Sequence, residues 1–182
     1  MNPRRFMVVP EKLSVFSETD LTTGVWVHAA PIGDYKHAVY GDVTVDETRI
    51  DRFINNFQNN VYGQEIPINY EHFGTDQAKG NKPAGWVKDM ERRDDGMWWN
   101  VAFTDEAAKE IKAGEWKYFS AEWYDEWADP EPDAQGNRTI HADVASGGAQ
   151  TNQPFYKNMV PLNFSELAAE VASLPATNEV AD

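Results

Sequence analysis

The sequence contains no cysteine, which excludes disulfides, thiolate zinc sites and cysteine nucleophiles. It also lacks any apolar run close to the roughly 20 residues that a membrane-spanning helix needs. The apolar stretch that follows Arg4 and Arg5 is too short for the core of a secretory signal. We therefore expect a soluble, intracellular protein.

Basic residues are scarce. Lys and Arg total 16 against 30 Asp and Glu, so the formal net charge is −14. Such a surface repels nucleic acids and anionic membranes, and it suits basic protein partners. The 182 residues are enough for one domain, and 41% apolar residues with seven tryptophans can build a substantial core.

Short segments rich in β-branched and aromatic residues dominate the chain, which is typical of strands. The predicted strands are Thr23–Ala30, Ala38–Val43, Ile66–Tyr70, Gly85–Met90, Met97–Phe103, Trp116–Trp127 and Arg138–Ala145. Few helical patterns interrupt them. The sequence therefore predicts a β-rich α+β domain with a few flanking helices.

Two helices and one tight turn carry clear local signals. Asp46 is a good N-cap for a helix whose apolar residues recur at helical spacing, starting from Ile50. Thr104 caps a second helix, predicted over Asp105–Ala113. Asp95-Gly96 supplies the positive-φ positions of a hairpin turn between two of the strands.

The remaining segments are predicted to be irregular or terminal. Pro31–Tyr35 reads as a turn, Phe73–Pro83 as a polar loop and Ser146–Pro161, with Gly147-Gly148, as irregular structure. Phe164–Leu174 has the pattern of a short amphipathic helix. The acidic end after it is predicted to be disordered.

Two polar residues stand where chemistry could occur. His72 follows a strand directly, and Ser120 lies among bulky aromatic residues in the longest predicted strand. If these two strands are neighbours, His72 can take the proton of the Ser120 hydroxyl and make it a nucleophile. The alternative is that both occupy ordinary strand positions. His28 and His37, in a strand and near a turn, are expected to be structural.

A series of short motifs resembles the Mu-like phage prohead proteases, which are related in fold to the herpesvirus assemblins. The motifs are Ile66-Pro-Ile-Asn-Tyr-Glu-His72, Pro83-Ala-Gly-Trp-Val87, Asp95-Gly-Met-Trp98, Phe103-Thr104, Glu115-Trp-Lys-Tyr-Phe-Ser120 and Ala149-Gln-Thr-Asn-Gln-Pro154. The resemblance covers about residues 20–165. It implies an assemblin-like barrel or sheet, with Ser120 as the nucleophile and His72 as the general base. The sequence departs from the family in having Ser120-Ala121 for Ser-Pro and Phe103-Thr104 for Trp-Thr, and neither change removes a catalytic group.

Assemblin-type proteases place a third, orienting residue on a strand after the serine strand. If the strands on either side of the 129–136 turn form a hairpin, residues 141–145 are expected opposite Ser120. Asp143 is then the preferred third residue because a carboxylate holds the imidazole tautomer, and His141 is the alternative. Glu71, next to His72, is discounted because neighbouring strand residues face opposite ways.

The resemblance implies a prohead serine endopeptidase of the host cytoplasm that works inside immature capsids. It would cleave the internal scaffold and its own C-terminal part, with scaffold and capsid proteins as partners and a homodimer as an expected assembly. Residues 1–165 would form the protease domain. Residues 166–182 would form a short helix and a flexible acidic tail, which is either the start or the remnant of a scaffold segment. No cofactor or metal is expected. The alternatives are a non-catalytic scaffold or capsid-assembly protein that keeps the fold, and a carbohydrate-binding or metal-dependent hydrolase domain.

Overall fold

The computed structural model describes residues 18–37, 41–72 and 82–162. Its helices are α1 (Glu18–Thr23), α2 (Glu47–Gln58) and α3 (Asp105–Lys112). Its strands are β1 (Val25–Pro31), β2 (Gly33–His37), β3 (Gly41–Val45), β4 (Pro67–Tyr70), β5 (Gly85–Arg93), β6 (Gly96–Phe103), β7 (Tyr118–Ala128) and β8 (Ile140–Thr151). The predicted helix Phe164–Leu174 and the tail after it lie outside the described residues.

Six strands form one sheet in the order β1-β6-β5-β4-β8-β7, while β2 and β3 make a separate hairpin. All neighbours in the large sheet are antiparallel except β4 and β8, which run parallel. The sheet curls into a half-barrel, and the β-rich α+β class predicted from the sequence is confirmed. A parallel pair needs a long crossover, and here the chain between β4 and β8 supplies it through β5, β6, α3 and β7.

Helix α2 begins where the sequence predicts. The Asp46 side chain accepts a hydrogen bond from the Arg49 backbone N–H at 2.7 Å, which satisfies one of the free donors of the first turn. Ile50 and Phe53, one turn apart, are buried against the sheet. The helix packs chiefly on β8 and β5 and thereby places Arg49 next to the β7–β8 hairpin.

The predicted hairpin at Asp95-Gly96 is the turn between β5 and β6. Gly96 has a φ of 151°, and a Cβ there would collide with the carbonyl oxygen of Ala30 on the adjacent strand β1. Glycine is therefore required both by the backbone conformation and by the close approach of β1. Thr104 caps α3 as predicted, with its hydroxyl accepting from the Ala107 N–H at 3.3 Å.

The core is built from large side chains of several strands and α2. Trp99 of β6 is fully buried and packs edge-on against Phe119 of β7, with ring centroids 5.6 Å apart. Phe53 of α2 makes a similar contact with Trp123, at 5.3 Å. These contacts hold β7 against the rest of the curled sheet although it is the last strand of the order.

Two predictions for the strand pattern are wrong. Pro31–Tyr35 is not simply a turn, because β2 already begins at Gly33 and pairs with β3. Ser146–Thr151 is not irregular, because β8 continues through Gly147-Gly148 to Thr151. Glycine-rich sequence usually ends a strand, but here β8 lies between two strands, and a Cβ at either glycine would lie within 3 Å of a side chain of β7.

Candidate active site

Ser120 lies near the start of β7 and is only 4% exposed. It pairs with Ala149 of β8, and its neighbour Phe119 points into the core against Trp99. Since successive strand residues face opposite ways, Ser120 and Glu122 share the other face of β7. The serine hydroxyl therefore stands beside a carboxylate of the same strand.

The strand that leads to His72 is not a direct neighbour of β7. Strand β8 lies between β4 and β7, so the prediction that the two strands are adjacent is wrong. Asn69 of β4 and Ser120 of β7 both pair with Ala149, from opposite sides. The sequence contains no local signal for this order because β8 follows β7 along the chain yet inserts beside a strand formed some 70 residues earlier.

His72 nevertheless reaches the serine strand. Glu71 has a φ of 53°, which turns the chain out of the strand direction directly after β4. The turn is fixed on β8, because the Glu71 N–H donates to the Gln150 carbonyl at 3.0 Å and its carboxylate accepts from the Thr151 hydroxyl at 2.7 Å. Beyond this turn, His72 Nδ1 lies 2.6 Å from Glu122 Oε1.

Small residues of β8 make this contact feasible. Gly147 is the partner of Glu122, and a Cβ at this glycine would lie 2.9 Å from Glu122 Oε2. Ala149 is the partner of Ser120 and carries only a methyl group on the same face. The middle strand thus leaves a shallow passage over which a histidine from beyond β4 contacts a glutamate of β7.

A cavity of about 450 Å³ borders the His72–Glu122 contact. Its lining residues are Asp42, Val43, Arg49, His72, Ser120, Ala121, Glu122, Trp123, Asp125, Gln153, Phe155 and Tyr156. Both Ser120 and His72 therefore border the same space. A β-bulge between Glu122 and Trp123 interrupts the alternation of β7 and lets two consecutive side chains face the cavity.

The hairpin of β7 and β8 is present, but its register differs from the prediction. Ser120 lies eight residues before Ala128, which pairs with Ile140, so its partner is far up β8 at Ala149. Residues 141–145 lie opposite the distal half of β7 instead, and the prediction that they face Ser120 is wrong. His141 pairs with Trp127 and its Nε2 contacts Asp129 Oδ1 at 3.1 Å, near the turn.

Asp143 belongs to an ion-pair cluster with helix α2. Its carboxylate contacts Arg49 Nε at 2.8 Å and Arg52 Nε at 2.7 Å, and its side chain is 6% exposed. Arg49 also pairs with Asp125. Asp143 has a φ of 59°, a conformation that aspartate tolerates better than most residues. These contacts attach α2 to β8, and the carboxylate at His72 comes from Glu122 and not from Asp143.

Glu122 was not singled out from the sequence, although a signal was present. A carboxylate two residues after a candidate serine in a strand lies on the same face as its hydroxyl. In the structure the Glu122 side chain is 24% exposed and that of His72 is 43% exposed, so the pair lies at the mouth of the cavity. When the Nδ1–H group donates a hydrogen bond to this carboxylate, Nε2 carries the lone pair that a base needs.

His28 has the structural role expected for it. It is 4% exposed, stacks on Trp98 and accepts a hydrogen bond at Nδ1 from the Val160 N–H at 3.3 Å. Burial lowers its pKa, so that the neutral acceptor form is favoured. His28 thereby attaches the segment that follows β8, which carries Phe155 and Tyr156 of the cavity, to the first strand of the sheet.

Within residues 18–37, 41–72 and 82–162, no three histidine, aspartate or glutamate side chains come close enough to hold a metal ion. No described helix is both long and apolar enough to cross a membrane.

Residues 27–132 match the family described as Mu-like prophage I protein, N-terminal domain. The match spans more than half of the 182 residues and includes His72, Ser120 and Glu122. It ends before β8. No curated protein and no solved structure matches the chain significantly.

Proposed function

This chain belongs to the Mu-like prophage I protein family, and from that premise we propose that it is a serine endopeptidase of prohead maturation with an assemblin-like fold. It is a phage-related protein by its family. Its substrate in this proposal is the internal scaffold of the immature capsid, in the host cytoplasm. The observation that carries the proposal is the 2.6 Å contact between His72 and Glu122 at the mouth of a cavity that also contains Ser120.

Each of the three residues has one role. Ser120 Oγ attacks the scissile carbonyl carbon while His72 Nε2 takes its proton, and the same proton then passes to the leaving amine as the C–N bond breaks. Glu122 accepts the hydrogen bond from Nδ1, holds the imidazole in that tautomer and stabilises its charged form. Water subsequently hydrolyses the acyl-enzyme by the reverse proton route. Glu122 takes the place that the sequence assigned to Asp143 or His141.

The sheet edge offers a way to hold a peptide. Strand β7 is the last strand of the large sheet, and among the described residues only β8 pairs with it. An extended substrate can add to the other edge by main-chain hydrogen bonds, which orients its carbonyl groups along the serine strand. Alternate side chains of such a strand would point into the cavity.

A fluorophosphonate probe tests the proposal because it phosphonylates activated serines, whose Oγ displaces fluoride from phosphorus. Labelling of the native protein, mapped by mass spectrometry, is expected at Ser120. Ser120→Ala should abolish it, and Ser146→Ala is the matched control because Ser146 does not line the cavity. His72→Gln should slow labelling by about 10³-fold and Glu122→Gln by about 10²-fold, whereas His141→Gln should leave the rate unchanged.

Scaffold co-expression provides the second readout. Cleavage of co-expressed scaffold should require Ser120, and a chelator should leave it unaffected. A protein that binds capsid or scaffold protein but is neither labelled at Ser120 nor able to cleave would be a non-catalytic assembly factor. That outcome would overturn the proposal.

A further inference from the structure

One wall of the cavity beside Ser120 is aromatic. Trp123 and Tyr156 stack with ring centroids 6.3 Å apart and planes inclined by 17°, and Phe155 packs edge-on against Tyr156 at 4.6 Å. Val43 extends the same wall. A surface of this kind packs well against the methylene groups of a long side chain and also attracts a cation near its rings.

The charges around the cavity do not balance. Arg49 is engaged by Asp125 and by Asp143, and Asp143 is also bound to Arg52, so these two arginines and two aspartates compensate one another. Asp42 lies at the rim, is exposed and takes no part in this network. Among the described residues no cation forms an ion pair with Asp42, although Lys36 lies opposite it in the β2–β3 register. The cavity therefore keeps an exposed carboxylate near its aromatic wall.

A buried hydroxyl in the wall also lacks a partner. Tyr156 is 4% exposed, and its OH group makes no hydrogen bond. Burial raises the pKa of this phenol, so it stays a neutral hydroxyl whose oxygen can accept a hydrogen bond. Tyr156 therefore contributes an uncharged aromatic ring to the wall, which does not repel a cation.

We propose that this cavity receives a lysine or arginine side chain of the substrate, with the methylene stem against Trp123 and Phe155 and the charged end towards Asp42. The inference rests on the proposed peptidase function and names the residue class that the site selects. The wider field acts in the same direction. The exposed residue Glu126 adds a negative charge on β7, and the net charge of −14 attracts basic segments.

The experiment uses the full chain and two probes, denatured casein and a random quenched-fluorescent peptide library. Cleavage sites mapped by mass spectrometry are expected to show Lys or Arg enriched at one fixed position relative to the cut. In the best library peptide, replacing that residue by norleucine keeps the stem and removes the charge. We expect this change to lower kcat/KM by about tenfold and a glutamate there to lower it further.

Asp42→Asn then tests the assignment of the charge. It should reduce the preference for lysine over norleucine by about fivefold. Asp94→Asn is the matched control, since Asp94 is an equally exposed aspartate in the turn between β5 and β6, away from the cavity. It should leave both kcat/KM values unchanged. Binding of the same peptides to Ser120→Ala measures the preference without catalysis.

The outcomes separate the two proposals. Labelling of Ser120 by fluorophosphonate together with cleavage sites that show no basic residue would overturn the substrate class and leave the peptidase intact. An unchanged lysine preference in Asp42→Asn would show that Asp42 does not bind the charged end of the substrate side chain. Absence of labelling would overturn the peptidase, and equal binding of lysine and glutamate peptides to Ser120→Ala would overturn the charge preference independently.

Discussion

Gly147 offers a way to disturb the His72–Glu122 contact without touching either residue. A Cβ at this position would lie 2.9 Å from Glu122 Oε2, which is closer than real side chains approach. The backbone of Gly147 is not in the left-handed region, so alanine can adopt it. In Gly147→Ala we therefore expect the Glu122 carboxylate to move by a few tenths of an ångström and to pull away from Nδ1 of His72.

The expected effect is on rate and not on stability. A displaced carboxylate is the end of a flexible side chain at the mouth of a cavity, so its movement costs little folding free energy. Catalytic geometry is far more sensitive, and a misplacement approaching 1 Å can cost about 10²-fold in rate. Because the expected movement is well below 1 Å, we expect Gly147→Ala to lower the rate of Ser120 labelling by about 3- to 10-fold, less than Glu122→Gln. The unfolding temperature should change by no more than about 2 °C.

The adjacent glycine is the matched control. A Cβ at Gly148 would lie 2.6 Å from the Phe119 ring and 3.0 Å from the Ile68 side chain, both in the core. Gly148→Ala should lower the free energy of unfolding by about 1–3 kcal/mol through overpacking. Labelling by the folded fraction should change less than in Gly147→Ala. Native-like labelling of Gly147→Ala, or a rate loss that only follows its unfolded fraction, would refute the role of the passage over β8.

Three further predictions concern stability. Burial keeps His28 neutral in the folded protein, so its folded pKa lies below the unfolded value of 6.5. The free energy of unfolding should therefore fall as the pH decreases through about 6.5, because the unfolded chain then binds more protons. Thermal unfolding of His28→Asn should depend less on pH. Asp143→Ala leaves Arg49 and Arg52 without their shared carboxylate, so urea unfolding should show a loss of about 3 kcal/mol in the free energy of unfolding. Asp143→Asn also removes the charge but tolerates the φ of 59°, so it should lose most of that free energy. Native-like stability of Asp143→Asn would contradict the charge argument. Thr104→Ala removes a helix cap and should cost about 1 kcal/mol by the same assay, whereas Thr104→Ser should restore most of it.

Features that depend on neighbouring residues were predictable. The cap at Asp46, the hairpin at Asp95-Gly96 and the cap at Thr104 each follow from a few adjacent side chains, and the structure has all three. Features that depend on distant pairing were not. The prediction that Gly147-Gly148 is irregular is wrong. The space for side chains at these two strand positions is limited by Glu122, Phe119 and Ile68, which are far away along the chain.

The amino-acid sequence alone predicts which residues could carry chemistry and most of the local elements that hold them, because alternation, caps and turns are short-range properties of the chain. The packing of distant segments places β8 between the strands of His72 and Ser120, sets Ala149 and not Asp143 opposite the serine, and brings Glu122 to the imidazole. Strand order and register are set by the packing of the whole curled sheet, and a shift of one residue exchanges the two faces of a strand. Local sequence does not contain that choice.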